Sequence, residues 1–471
     1  MRGASLLISF WLGSSIACGG RELGDAEGGA KPASAAARGD DDAVQTERPG
    51  EAEPRDAVEQ PDEVEQSGAR EQVVEAMASP EGPPISGELG DASSQACRSA
   101  MARLAELEGL RRKSEARGTR VSGEAVFALW TKADRHGESL REWVAAADLR
   151  LGRVPTRGDG RDVVLIGQAL EQLRTNEDDG VAARALVDVI TQLREVAFLD
   201  HRRLLAEVSE SQERGDGLGA RLGGQWDEAW CLWSGAVAPL AEHLDAADED
   251  AVDEGAGWEG WSALVTDAFA SGRAGIHDDG QDPAKTRPAR RIIDAAGEAV
   301  VLRRVLELAA LGAEQPAGPL EAAMLLDLLS APMSGTKRSG RTLAEMQRML
   351  YGDPAQVEVA RIERGLAQTF AVLARAGCDE AVDRGTLGDP AGIASAWEGL
   401  IYARALLPGM RAALGEAGFD AAAYLDSWAT YRRAVEDGDS TRAAAVAEAL
   451  VRWNCAYREA LGEVSCAADP G

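Results

Sequence analysis

From Ser94 onward the apolar residues of this chain return every third or fourth position and almost never alternate. That habit constrains the fold more than any other feature. Three- and four-residue spacing lays a stripe along one face of a helix, whereas a half-buried strand needs a period of two. Met101, Leu104, Leu107 and Leu110 make the first stripe. Ser122 precedes a helix through Val126, Phe127 and Trp130, and Trp143 and Val144 belong to the next. RGDGRD at 157–162 reads as a turn before Val164, Leu165, Leu170 and Leu173, and NEDDG at 176–180 reads as a break with an N-cap. The longest pattern, 181–213, sets Leu186, Val189, Ile190, Leu193, Val196 and Ala197 on one face. Polar or Pro/Gly-rich loops are expected at 274–288, 312–320 and 331–341, with helices over 343–350, 355–376, 393–414, 421–435 and 441–461. The expectation is an all-α, multi-helix bundle over 94–471, and a division into two helical lobes would fall near 275–341.

Residues 18–93 have a different character. Gly, Ala, Pro, Glu and Asp dominate, aromatic residues are absent, and acidic side chains outnumber Lys and Arg by about three to one. Such a segment buries too little apolar surface to offset its ordering entropy, and its like charges repel one another. It reads as a disordered acidic linker, a stalk that sets the body tens of ångströms from whatever holds the chain's beginning.

That beginning is MRGASLLISFWLGSSIACGG. Arg2 supplies a positive start, and the apolar run 6–12 is shorter than the ~20 residues a membrane-spanning helix needs. Small residues then lead into Ser15-Ile16-Ala17-Cys18. The segment resembles a bacterial lipoprotein signal peptide with its lipobox, with Ser15 where that family usually carries Leu. The resemblance implies removal of 1–17, lipid attachment at Cys18, export, and a membrane anchor in the cell envelope. Gly19 rather than Asp after the cysteine favours the outer membrane or periplasmic face. The alternative is an ordinary signal peptide cleaved near Ala17. The resemblance covers about twenty residues and implies nothing about the helical body.

The net charge of −29 removes nucleic acid as a partner, because phosphate binding needs a basic footprint. Five cysteines remain beyond Cys18, an odd number that leaves at least one thiol unpaired. Cys97 opens the body and Cys455 and Cys466 close it, so a bridge between the two ends is one reading and buried free thiols the other. Cys455 and Cys466 can pair with each other only if the chain reverses near Gly462, since continuous helix would hold them ~16 Å apart.

Common catalytic signatures are missing from the sequence. The four histidines, His136, His201, His243 and His277, form neither Glu-x-x-His nor His-Glu-x-x-His. GDGLGARLGG at 215–224 carries Leu222 at the third glycine position of a phosphate fingerprint and reads as a helix breaker. Two candidate sites remain. His277, Asp278, Asp279 and Asp282 put imidazole and carboxylates within six residues, a set suited to a divalent metal, against the plainer reading of a solvated turn. Trp226, Trp230 and Trp233 share one helical face that suits a sugar or peptide platform, against the plainer reading of core packing. Asp227 and Glu228 beside them are expected to face solvent or pair with arginine. So are the acids around Arg202-Arg203, Arg290-Arg291, Arg303-Arg304 and Arg432-Arg433. A faint repeat sets Trp226-Asp227 with Pro239 beside Trp397-Glu398 with Pro408.

No cofactor is predicted. The expected function is a lipid-anchored, non-enzymatic helical protein that binds or scaffolds a protein or small-ligand partner at the envelope. The competing expectation is an envelope enzyme or metal-handling bundle built on the acidic loop 277–282.

Overall fold

The computed structural model describes residues 92–133, 137–154, 158–215, 219–248, 258–277, 280–312, 314–315, 317–334 and 337–462. Residues 1–91, which hold the segments read as a signal peptide, a lipobox at Cys18 and an acidic linker, lie outside them, as does Cys466. Among the described residues there are sixteen α-helices and one two-residue hairpin, so the chain is all-α. In chain order the helices are α1 (Ala92–Arg117), α2 (Gly123–Thr131), α3 (Leu140–Arg150), α4 (Arg161–Thr175), α5 (Asp179–Arg214), α6 (Gly219–Ala236), α7 (Ala238–Asp248) and α8 (Trp261–Ala274). Strands β1 (Ile276–His277) and β2 (Gly280–Gln281) then pair antiparallel. The second half holds α9 (Pro283–Leu311), α10 (Ala317–Asp327), α11 (Ser330–Met333), α12 (Lys337–Leu350), α13 (Val359–Asp383), α14 (Pro390–Leu414), α15 (Ala421–Glu436) and α16 (Ser440–Ala460).

Local sequence explains where several helices begin. The side chains of Ser122, Asp178, Asp420 and Asp439 accept hydrogen bonds from backbone N–H groups of the first turns of α2, α5, α15 and α16. Ser139 and Glu142 satisfy each other's backbone donors in a capping box at the start of α3. Two expected loops are partly helical. Asp282 caps α9 and Pro283 occupies its first turn, where a missing N–H costs nothing, so α9 starts six residues before the apolar pattern does. The polar stretch from Lys337 winds into α12 because Met346 and Leu350 anchor the later turns in the core.

The first stripe folds as its spacing predicts, with Met101, Leu104 and Leu107 buried against α6 and the bundle interior. Helix α5, the longest at 36 residues, packs on α4, α6, α9 and α10. The two-lobe division is not what forms. Helix α9 starts inside the 275–341 stretch and packs on α5, α7 and α8 as well as on α13 and α14, and one hydrophobic core runs from Cys97 to Tyr457. Helices α13 and α14 approach closely where Gly377 faces Gly399. A Cβ at 377 would stand 2.6 Å from the Gly399 Cα, so only glycine permits this crossing.

Buried charges tie the helices together. Glu321 of α10 receives Arg111 of α1 at 3.0 Å and Arg194 of α5 at 3.3 Å, with Arg304 of α9 at 4.0 Å. Burial pushes the Glu321 carboxyl up, but the three guanidinium groups outweigh it and hold it below the usual range. On the other face of α9, Arg202 binds Glu298 at 2.9 Å and Asp294 at 3.4 Å, while the Tyr402 hydroxyl donates to Glu298 at 2.7 Å. Burial raises both carboxyls, and Arg202 only partly offsets it. Arg291 joins Glu398 and Glu380. Arg202 and Arg203, like Arg290 and Arg291, therefore fork to different carboxylates, whereas Arg432 pairs with Glu436 and Arg433 donates to the Ala429 carbonyl.

The cysteines pair differently from an end-to-end bridge. Cys97 of α1 is bonded to Cys231 of α6, with Cα atoms 6.3 Å apart, because α1 lies along α6 and not beside α16. Cys378 is free and buried. Cys455 is disulfide-bonded as well. Gly462, in the left-handed region, follows the end of α16.

Candidate functional site

Of the two sites picked from sequence motifs, the tryptophan face is buried and the acidic loop lies in part outside the described residues. Trp226 and Trp233 are 0% and 1% exposed, and the Trp226 indole N–H donates to the Phe269 carbonyl at 2.9 Å. Trp230 is half-buried, edge-on to Phe269 with ring centres 4.9 Å apart. This face is covered by α8, so it packs the core and offers no platform. Asp227 binds Arg273 at 3.0 Å, and its counterpart in the faint repeat, Glu398, binds Arg291. In the acidic loop, Asp278 and Asp279 lie outside the described residues and His277 pairs through its backbone with Gly280. The Asp282 carboxylate is committed to capping: it accepts from the Ala284 N–H at 3.1 Å and lies 3.8 Å from Lys285 Nζ. Among the described residues, no group of three or more His, Cys, Asp or Glu is arranged to hold a metal.

Of the remaining histidines, His201 is a core residue. His201 is fully buried among Phe198, Trp233 and Phe269, with Nδ1 3.1 Å from the Ala229 carbonyl. Burial drives its imidazole down to about 4, so it is neutral. His243 sits at the surface, 3.3 Å from Glu307, and His136 lies outside the described residues.

A different place gathers the features of a site. Helix α14 contains Pro408 and Gly409 in its interior. Proline has no N–H to close the helical bond to the carbonyl four residues back, and glycine is a poor helix former. The pair opens one side of α14 just where α9, α13 and α16 converge. The result is a cleft of about 310 Å³. Leu306 of α9, Val359 and Ala367 of α13, and Ala405 and Leu406 of α14 give it apolar walls.

Its polar groups come from three helices. Tyr457 of α16 is 2% exposed and lines the cleft, and its hydroxyl makes no hydrogen bond to a described residue. Burial, then the nearby Glu363 carboxylate, pushes the Tyr457 phenol up, so it keeps its proton. Glu363 of α13 is half-buried and has no ion pair with a described residue. A Cβ placed on Gly409 would collide with the Tyr457 hydroxyl and stand 2.8 Å from Glu363 Oε1. The two oxygens therefore flank one small space that exists because residue 409 has no side chain. Arg303 and Glu307 of α9 complete the rim. Arg303 is already partnered, and Glu307 is held by Arg304 at 3.3 Å and faces His243.

Apolar walls with a few convergent polar groups between the helices of a bundle are what a small-molecule site requires. The sequence reading missed this site, since its lining spans residues 303 to 457 with no motif spacing. One signal was present: Pro-Gly inside a long apolar helix pattern is locally costly, and such conflicts gather at functional sites. In the faint repeat the match fails at this point, as Pro239 lies at the start of α7 while Pro408 lies in mid-helix.

The chain matches no family model, no curated protein and no solved structure. Among the described residues no helix is long and apolar enough to cross a membrane.

Proposed function

We propose that this protein is exported, anchored in the cell envelope through lipid on Cys18, and that its helical body binds a small ligand in the cleft beside Gly409. The observation that carries the binding role is the meeting of the Tyr457 hydroxyl and the Glu363 carboxylate in an apolar-walled cleft, neither partnered within the described protein. A ligand that donates to these two oxygens gains about 0.5–1.5 kcal/mol for each hydrogen bond, and more at the charged carboxylate. The location is supported by chemistry. Cys97–Cys231 and the bridged Cys455 suit an oxidising compartment, where disulfides persist. Lipid at Cys18 fits the same compartment, and more than one acyl chain makes such an anchor stable.

Two experiments test the two halves. Palmitate should label the wild-type chain in cells and leave Cys18→Ser unlabelled; equal labelling refutes the anchor. For the ligand, native mass spectrometry of protein purified from the envelope should find a small molecule on the wild type and none on Gly409→Leu, whose side chain fills the cleft. Identical spectra with no bound molecule on either refute the binding role.

A further inference from the structure

We propose that the cleft selects a small organic cation, an ammonium group carried on an apolar body. The inference rests on the reading of this cleft as the ligand site and adds the chemistry of what enters it. Three charged side chains line the cleft. Arg303 is partnered, and Glu307 is neutralised by Arg304. The charge left without a partner is the Glu363 carboxylate, so the site is complementary to a positive group. An ammonium has only donors to offer, and the two oxygens beside Gly409 are both acceptors: a carboxylate and a phenol that stays protonated yet accepts through its lone pairs. A carboxylate or phosphate ligand would meet the unpaired negative charge of Glu363 at the same place. Leu306, Val359, Ala367 and Leu406 offer the rest of the ligand an apolar surface on three sides. The net charge of −29 raises the local concentration of cations around the whole molecule.

Calorimetric titration of the full chain with a matched trio separates the possibilities: n-hexylammonium, n-hexanol and n-hexanoate share a tail and differ in head group. The wild type should bind hexylammonium at least about tenfold more tightly than the other two, the usual worth of a charge-assisted hydrogen bond. Glu363→Gln should weaken hexylammonium by about tenfold and leave hexanol unchanged. Glu363 makes no ion pair with a described residue, so this variant keeps the wild-type melting temperature. Gly409→Leu should abolish binding of all three, and Ala405→Leu serves as a second filling variant if that one does not fold. Equal affinity for hexanol or hexanoate, with binding still lost on filling, overturns the cation while leaving the cleft as the ligand site. Binding that neither filling variant changes, or no binding by any of the three, overturns both.

Discussion

Removing the Cys97–Cys231 bridge gives the sharpest test of how α1 is held. The bond closes a loop of 134 residues between the first helix and α6. In the chain-entropy account such a crosslink removes about 17 cal/mol/K from the unfolded ensemble, or about 5 kcal/mol at 25 °C. Both residues pack against the core, and alanine fits each place without new volume, so Cys97→Ala with Cys231→Ala alters little else. Unfolding entropy is ~2.1 cal/mol/K per residue, so a body of about 370 residues melts with ~0.8 kcal/mol/K. Dividing one by the other gives a fall in melting temperature of about 6 °C. Differential scanning calorimetry of three samples makes the measurement: oxidised wild type, reduced wild type, and the double variant. The double variant should melt about 6 °C below the oxidised wild type, and reductant should lower it further only by what the Cys455 bridge contributes. A double variant melting within about 1 °C of the oxidised wild type would refute the pairing or its role in tethering α1.

Three further outcomes follow from the buried charges. Glu321→Gln strips a common carboxylate from Arg111, Arg194 and Arg304 and should cost about 3–5 kcal/mol in chemical denaturation, whereas pairing it with Arg194→Met should recover part of the loss. His201 has a folded-state pKa depressed from 6.5 to about 4, so the unfolded chain binds the extra proton, and stability is present above 6.5 and lost as the pH falls toward 4. The full shift corresponds to about 3 kcal/mol, and His201→Phe should flatten the stability–pH curve between those limits by up to one proton. Asp188 is the opposite case. Burial raises its carboxyl to about 6 with only Arg184 opposing, so its contribution is present below 3.8 and lost as the pH rises through 6. Asp188→Asn should therefore stabilise the protein at pH 7.5 by about 1–2 kcal/mol, after allowance for solvent screening, and by almost nothing at pH 3.5.

What the sequence made legible is what each helix decides for itself. The stripe of Met101, Leu104 and Leu107, the caps at Ser122 and Asp178, and the burial of the tryptophan face all follow from three- and four-residue spacing or from a single capping oxygen. The bridge was not legible, because Cys97 and Cys231 meet only once α1 has docked on α6. The early start of α9 was hidden by two prolines that read as breakers, although Pro283 takes the first helical position, where proline is tolerated, and only Pro288 lies inside the helix. The cleft was hidden for a third reason. Its polar members sit alone on separate helices, and each looks like an ordinary surface residue until four helices converge.

Gly409 shows how the cleft and the stability of α14 pull against each other. In an unconstrained helix, glycine to alanine gains about 1 kcal/mol. Here the added methyl meets the Tyr457 hydroxyl, and overpacking of that kind costs about 1–3 kcal/mol, so Gly409→Ala should be neutral or destabilising in the wild-type background. Glu363 Oε1, 2.8 Å from the same point, ends a half-buried side chain that can swing outward, leaving the tyrosine as the rigid obstacle. Tyr457→Phe removes that obstacle. It sacrifices no hydrogen bond to a described residue, so alone it should cost little. In the phenylalanine background Gly409→Ala should recover its intrinsic gain of about 1 kcal/mol, a coupling of about 1–3 kcal/mol between the two positions measured by a denaturation double-mutant cycle. If the alanine has the same effect in both backgrounds, the tyrosine oxygen does not occupy the space glycine vacates. Coupling of the expected sign means that α14 forgoes helix stability to keep an oxygen-lined space open. A helix has no packing reason to do so, since alanine with phenylalanine would fill the same gap at lower free energy.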